Sequence, residues 1–349
     1  MTKLSFPFLI FIAAGFSSLK LAFGGDISYT VPKSARGTSV DFDGNVLSTT
    51  SFSFLVMGDW GGQGSSPYTT KQEVATAAGM GKVAEAKHAS FALALGDNFY
   101  TFGVDSVNSS RFKTTFEDVF SADSLSSANG FRFHVLAGNH DHYGNVDAQV
   151  AYSSVSQRWV FPSLYYTFTV GSVQFVMIDT VLLSGVTHDE ISAPLPGPPS
   201  KVAADAQLKW IEETLKESTS PYLIVAGHYP VHSICEHGPT AELINDVAPL
   251  LEKYKATAWM NGHDHCAEHI DVGDGVQFHT VGSAHVNDPS TAHASTIKPD
   301  QLKFHVGTKA NGGFASVDVT DQGLTIVHHD GDGNILYTAP AIPPRTAYY

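Results

Sequence analysis

Five times in this chain a short apolar run ends at or just before a glycine, and acidic, amide or imidazole side chains follow at once. The runs are Phe52-Ser53-Phe54-Leu55-Val56-Met57, Phe91-Ala92-Leu93-Ala94-Leu95, Phe133-His134-Val135-Leu136, Leu223-Ile224-Val225-Ala226 and Thr257-Ala258-Trp259-Met260. They lead into Gly58-Asp59-Trp60-Gly61, Gly96-Asp97-Asn98-Phe99-Tyr100, Gly138-Asn139-His140-Asp141, Gly227-His228-Tyr229-Pro230 and Gly262-His263-Asp264-His265. Short apolar runs bounded by glycine read as buried strands, and a glycine at the exit lets the chain turn sharply. A sixth run, Phe175 to Ile178, has the same character. Helical stretches are expected at Gln72 to Lys87, Arg111 to Phe120, Ala203 to Lys216 and Leu243 to Tyr254. Strands alternating with helices predict an α/β protein with largely parallel pairing. In open α/β sheets, ligands bind beyond the carboxyl ends of the strands. Five exits on one sheet edge would bring Asp59, Asp97, Tyr100, Asn139, His228, His263 and His265 together.

Composition narrows the field. Of 349 residues 43% are hydrophobic, enough for a substantial core and against global disorder. The formal net charge of −14, with no basic cluster, argues against a nucleic-acid partner. The first residues carry one charge, Lys3, then an apolar stretch from Leu4 to Phe16, then small residues at Ala22 and Gly24. That pattern predicts a signal peptide over residues 1–24, and its run is too short to span a bilayer comfortably. A secreted or secretory-lumen protein is expected, with lysosome or vacuole as the alternative, and no membrane contact after cleavage. Asn108-Ser109-Ser110 is a glycosylation acceptor suited to that route. Residues 25–50 read as an extended arm, 51–338 as one catalytic domain and 339–349, rich in proline, as a flexible tail. The stretch from Gln277 to Tyr337 is mostly β in pattern, and Ala193 to Ser200 is a proline-rich loop.

The converging side chains suit two metal ions. Carboxylate and phenolate oxygens are hard donors, and imidazole and amide groups suit divalent zinc, iron or manganese. Asp97 is the natural bridge, since one carboxylate can face two ions. His263 and His265 stand two apart and would point to opposite sides of an extended chain. Either a loop turns both inward or each serves a different ion. Any motif alone is an ordinary turn. Five in this order form a convergent polar cleft.

At this point the motifs resemble the metallophosphoesterases. The Asp-Trp-Gly opening and the tyrosine of Gly-Asp-Asn-Phe-Tyr are similar to the purple acid phosphatases. Arg111-Phe112, Thr115 to Phe120, His140 to Asn145, Arg158-Trp159 and His228 to Thr240 resemble the small tartrate-resistant members. The likeness runs from about Ser51 to Tyr337. It implies a sandwich of two mixed β-sheets flanked by helices, with the site at the carboxyl ends of strands. It also implies Asp59, Asp97, Tyr100 and His265 around ferric iron, and Asp97, Asn139, His228 and His263 around a divalent iron, zinc or manganese ion. His140 would contact the substrate phosphate and His237 would protonate the leaving group, with Glu236 beside it. The implied reaction is hydrolysis of small phosphate monoesters by a metal-bound hydroxide, at acid pH. A dinuclear metal phosphodiesterase and an iron-dependent, peroxidase-like redox activity are the alternatives.

Departures from the pattern are local. Gly61 stands where many metallophosphoesterases carry a histidine. Cys235 lies two residues before His237 and Cys266 directly follows His265, so loops that converge on the metals would let the two sulfurs form a disulfide. The loop from Thr180 to Ser200 and the stretch Ser283-Ala284-His285-Val286-Asn287 also differ from the family. His142, His232, His269 and His285 are further histidines that could line the cleft, though buried structural or solvated roles are commoner.

Overall fold

The apolar runs pair into two seven-stranded sheets in a computed structural model that describes residues 51–186, 197–307 and 310–345. The first sheet begins with β1 (Phe52–Met57), β2 (Phe91–Leu95), β3 (Arg132–Leu136) and β4 (Trp159–Val160), paired in parallel. The second is built from β5 (Tyr166–Val170), β6 (Val173–Met177), β7 (Tyr222–Ala226), β8 (Ala258–Asn261), β9 (Ala267–Ile270), β10 (Gln277–Val281) and β11 (Leu302–His305). The chain then returns to the first sheet with β12 (Gly313–Thr320), β13 (Gly323–Asp330) and β14 (Ile335–Thr338), an antiparallel meander joined to β1 through β12. Both sheets are mixed. Parallel pairing runs from β1 out to the edge strand β4 in the first sheet and holds the centre of the second. The short connections around β5, β9 and β12 to β14 leave no room for the crossover that parallel strands require, so those pairs are antiparallel.

Helices cover the outer faces. Those before β8 are α1 (Lys71–Lys87), α2 (Asn139–His142), α3 (Val146–Tyr152), α4 (Thr180–Ser184), α5 (Lys201–Glu217), α6 (Ala241–Asp246) and α7 (Ala248–Lys253). The capping box of α1 is sequence-encoded: Thr70 Oγ1 accepts from the Glu73 amide at 3.0 Å, and Glu73 Oε2 accepts from the Thr70 amide at 3.2 Å. The helix expected over Leu243 to Tyr254 is instead two helices. Pro249 has no N–H and its ring clashes with the preceding turn, so the chain restarts at Ala248 with proline in the first turn. The stretch expected as a helix from Arg111 to Phe120 is π-helical over Phe112–Glu117. The start of the Thr180 loop is helical, with Asp179 as its cap.

The expected signal peptide and arm, residues 1–50, lie outside the described residues, as does part of the proline-rich loop. The tail expected to be loose is held as far as Arg345. Ala339 donates to the Ile326 carbonyl, Leu324 and Ile342 exchange backbone bonds at 2.9 and 2.8 Å, and Arg345 donates to the carbonyls of Ser218, Ser220 and Tyr254. No helix among the described residues is long and apolar enough to cross a membrane.

Aromatic packing fixes the sheets face to face. Phe54 and Phe91 stack at 5.0 Å, and both meet Phe175 of the other sheet edge-on, at 5.2 and 5.4 Å. Such pairs add about 1 kcal/mol each beyond the area they bury. A second core lies between the outer face of β7 and β8 and the helices, with Leu223, Val225 and Trp259 among Trp210, Ile211 and Leu251. Trp60, Phe99, Phe116 and Trp159 form an aromatic floor beneath the first two polar motifs, with centroids 5.1 to 6.0 Å apart.

His134 is part of the inter-sheet core, stacked on Phe168 at 3.9 Å. Burial, with Arg132 nearby, pushes its imidazole down to about 3. Unfolded, it titrates near 6.5, so the unfolded chain takes up the proton first as pH falls. The stability that depends on keeping this ring neutral is complete above about pH 6.5 and drains away toward pH 3. Between pH 7 and 4.5 that is about 2 kcal/mol. His134→Phe should shrink the stability lost between pH 7.5 and 4.5 in urea unfolding by that order; an unchanged loss would clear this ring of responsibility.

Candidate metal centre

The five polar motifs meet, but not on one sheet edge. β1, β2 and β3 end in the first sheet, β7 and β8 end in the second, and the cluster bridges the two. The glycines also do a different job from the one their position at a strand exit suggests. Gly96 does adopt φ +91°. At Gly138, however, a Cβ would stand 2.1 Å from Asp97 Oδ1, and at Gly262 it would stand 2.4 Å from Asp59 Oδ2. These positions are bare because a neighbouring motif's carboxylate occupies the space.

Three non-glycine residues take the left-handed conformation immediately at the site: Asp59 at φ +54°, Asp97 at +51° and His263 at +67°. Each such residue costs on the order of 1 kcal/mol. Bonds between motifs offset the strain. Asp59 Oδ2 accepts from the His263 amide at 2.7 Å, and Asp97 Oδ1 accepts from the His140 amide at 3.0 Å.

Two groups of donors result. In the first, the Tyr100 hydroxyl lies 2.9 Å from Asp59 Oδ1 and 3.0 Å from His265 Nε2. In the second, His228 Nε2 lies 3.0 Å from Asn139 Oδ1 and 3.3 Å from Asp97 Oδ1, while its Nδ1 bonds the Leu95 carbonyl. Ligand atoms of Asp97, His228 and His263 fall within 4.8 Å of one another. The left-handed turn at His263 resolves the ambiguity in the sequence. His263 joins the second group and His265 the first, and the ring centroids of His263 and His228 lie 5.1 Å apart.

The electrostatics are those of buried anions among imidazoles. Burial alone would raise the Asp97 carboxyl, yet His228, His140 and His263 hold it well below the ordinary carboxylate range. Burial, then Asp59 and Asp97, push the Tyr100 phenol well above its usual ten. Burial lowers His228, but Asp97 and Asp59 outweigh it and lift the imidazole to about 9. Burial and the neighbouring His237 and His228 drive His263 well below 6.5. No Lys or Arg bonds Asp59 or Asp97 among the described residues. The donor set fits a pair of cations. With the His228 Nδ1 proton on Leu95, its Nε2 faces two oxygen acceptors, an arrangement that a proton or a cation must reconcile. Only a multivalent cation would hold Tyr100 as phenolate beside two carboxylates.

The flanking residues fall as follows. His140 is buried, its ring 4.4 Å from the Tyr100 ring and its Nδ1 2.6 Å from the Thr101 carbonyl. His237 packs on His263 at 4.4 Å and is half-buried. Glu236 is exposed, bonded to Ser290 Oγ. His285 stacks on Tyr100 at 4.1 Å with Nδ1 on the Gly62 carbonyl, so it belongs to the site. His142 bonds Asp179 at 2.8 Å. His232 packs on Phe278, and His269 lies in a histidine cluster between the sheets, stacked on His279. Cys235 and Cys266 are joined as a disulfide.

Three supporting residues carry no assigned role in the sequence reading, although two of them, Asp141 and Asp264, stand within the polar motifs. Asp141 accepts from the Asn98 and Gly138 amides, tying the second motif to the third; its position three residues after Gly138 is a helix-start signal. Asp264 accepts from the His237 amide at 2.6 Å and the Gly238 amide at 3.1 Å. Glu73, pushed up to about 8 by burial, lies against the first motif, which no local pattern would reveal.

Residues 52–267 match the model of the calcineurin-like phosphoesterases. The chain is 43% identical over 296 residues to rabbit tartrate-resistant acid phosphatase type 5, covering 83% of this chain and 90% of that protein. Purple acid phosphatase 4 of Arabidopsis thaliana is 32% identical, covering 82% of each chain. The solved structure titled GAP50, the anchor in the inner membrane complex of Plasmodium, superposes with a TM-score of 0.71 at 21% identity, over 86% of this chain and 90% of that one. The chain belongs to the calcineurin-like phosphoesterase family, enzymes of phosphate-ester hydrolysis, and within it groups with the purple and tartrate-resistant acid phosphatases.

Arg111 braces the site without touching its carboxylates. Its guanidinium donates to the carbonyls of Tyr100 at 2.5 Å and Gly61 at 2.8 Å, and to Thr115 Oγ1 at 3.0 Å. Charged hydrogen bonds of this kind contribute about 1.5–3 kcal/mol each. Arg111→Met should therefore cost about 3 kcal/mol in urea unfolding, with Arg111→Lys intermediate. Parental stability in the Met variant would refute the brace.

Proposed function

We propose that this chain is an acid phosphatase that hydrolyses small phosphate monoesters with a ferric ion and a divalent iron, zinc or manganese ion. Asp59, Asp97, Tyr100 and His265 hold the ferric ion; Asp97, Asn139, His228 and His263 hold the divalent one. The observation that carries the reading is Tyr100, a phenol set between a buried carboxylate and an imidazole. When bound, the two ions neutralise phosphoryl charge and acidify a water for attack.

The chain's own residues do the rest. His140 donates Nδ1–H to the Thr101 carbonyl, and as the imidazolium it donates Nε2–H to a phosphate oxygen. His237, beside the second group, carries the proton that the departing alkoxide needs. No side-chain nucleophile is called for: the two cysteines are bonded to each other, and among the described residues no serine sits in a nucleophile elbow. Direct attack by water inverts configuration at phosphorus. A secretory address fits the exposed Asn108 acceptor site and the sequence of residues 1–24. The partners are small phosphate esters, not nucleic acid.

Metal analysis with an absorption spectrum tests the centre. Iron-loaded protein should show a visible phenolate-to-iron charge-transfer band that Tyr100→Phe abolishes. A fully loaded protein without the band, or a Phe variant that keeps it, removes the ferric assignment.

The pH profile tests the chemistry. A monoester should be cleaved faster than a diester, with an optimum on the acid side. Activity climbing steadily from pH 5 to pH 9 would count against proton delivery by His237.

A further inference from the structure

The loop from Pro230 to Thr240 carries His237 and contains no helix or strand. The His237 ring has no hydrogen bond among the described residues; it rests on the His263 ring. Its place is therefore set by its backbone. That backbone is fastened to one short segment, the peptide that carries His263 and His265. Asp264 takes the amides of His237 and Gly238. Glu268 Oε2 takes the Ile234 amide at 3.2 Å while its Oε1 accepts from Thr280 Oγ1 at 2.8 Å. Between these two polar ties stands the covalent one, Cys235 to Cys266, joining residues 31 apart in sequence. From the far side, His293 bonds the carbonyl of Cys235 through Nδ1 and that of Ile234 through its amide.

We propose that the Cys235–Cys266 crosslink is a positioning device for proton delivery: it holds the His237 loop in register with the segment that carries the two histidines. The disulfide itself takes no part in the reaction. This rests on the reading of His237 as proton donor. A donor must lie within hydrogen-bond reach of the leaving oxygen, and displacement by about 1 Å can cost about a hundredfold. A leaving group that is already a stable anion needs no proton, so it should not register the loss.

The test uses the full-length, metal-loaded protein and a Cys235→Ala/Cys266→Ala variant, with a repacked Cys235→Val/Cys266→Ala variant should the first not accumulate. Turnover is measured on 4-nitrophenyl phosphate and on an alkyl phosphate. Loss of the crosslink should leave kcat on the first within about twofold and lower it on the second about tenfold, with the metal content unchanged. In a His237→Ala background the same change should have no further effect, because effects that act through one group do not add. Hydrogen exchange of residues 233–240 should quicken in the variant, a readout that needs no turnover. An equal loss on both esters, an effect that persists without His237, or unchanged exchange would each overturn the proposal. A parent chain inactive on both esters would instead sink the phosphatase reading, and the exchange measurement would still decide whether the crosslink holds the loop.

Discussion

Two buried carboxylates, Asp59 and Asp97, organise everything around them. Each leaves its strand in a left-handed conformation and bonds the backbone of a motif from a distant part of the chain. A buried anion without partners is untenable, so these bonds and the facing imidazoles are a condition of folding as much as of function. The same constraint dictates the bare positions at Gly138 and Gly262, where any side chain would collide with a carboxylate oxygen.

Precision at that centre is borrowed from apolar packing. The aromatic floor of Trp60, Phe99, Phe116 and Trp159 fixes the first two motifs from below, and the phenylalanines between the sheets set the distance across which β7 and β8 deliver their histidines. Close-packed interiors transmit displacement rather than absorb it. Arg111, Asp141 and Asp264 then translate the packing into loop position through backbone amides and carbonyls, not through the reacting groups themselves.

Much of this was legible in one dimension. The strand exits, the helix α1 and the seven clustered side chains follow from apolar runs, an alanine-rich stretch and glycine punctuation. The errors have physical causes too. Pro249 splits what its flanking residues would continue as one helix. The tail is proline-rich, yet Ala339, Ile342 and Arg345 are captured by strand β13 and by carbonyls of the second sheet's connections. His285 looked like one of several idle histidines until the fold laid it against Tyr100.

The sequence alone determined which donors exist, that each follows a strand, and that two cysteines flank the histidine-bearing loops, because these are properties of neighbours along the chain. Only the tertiary structure decided that the donors come from two sheets, that His263 and His265 part company, and which amides hold His237. Those outcomes depend on residues scores of positions apart coming within hydrogen-bond reach, and no local pattern encodes such distances.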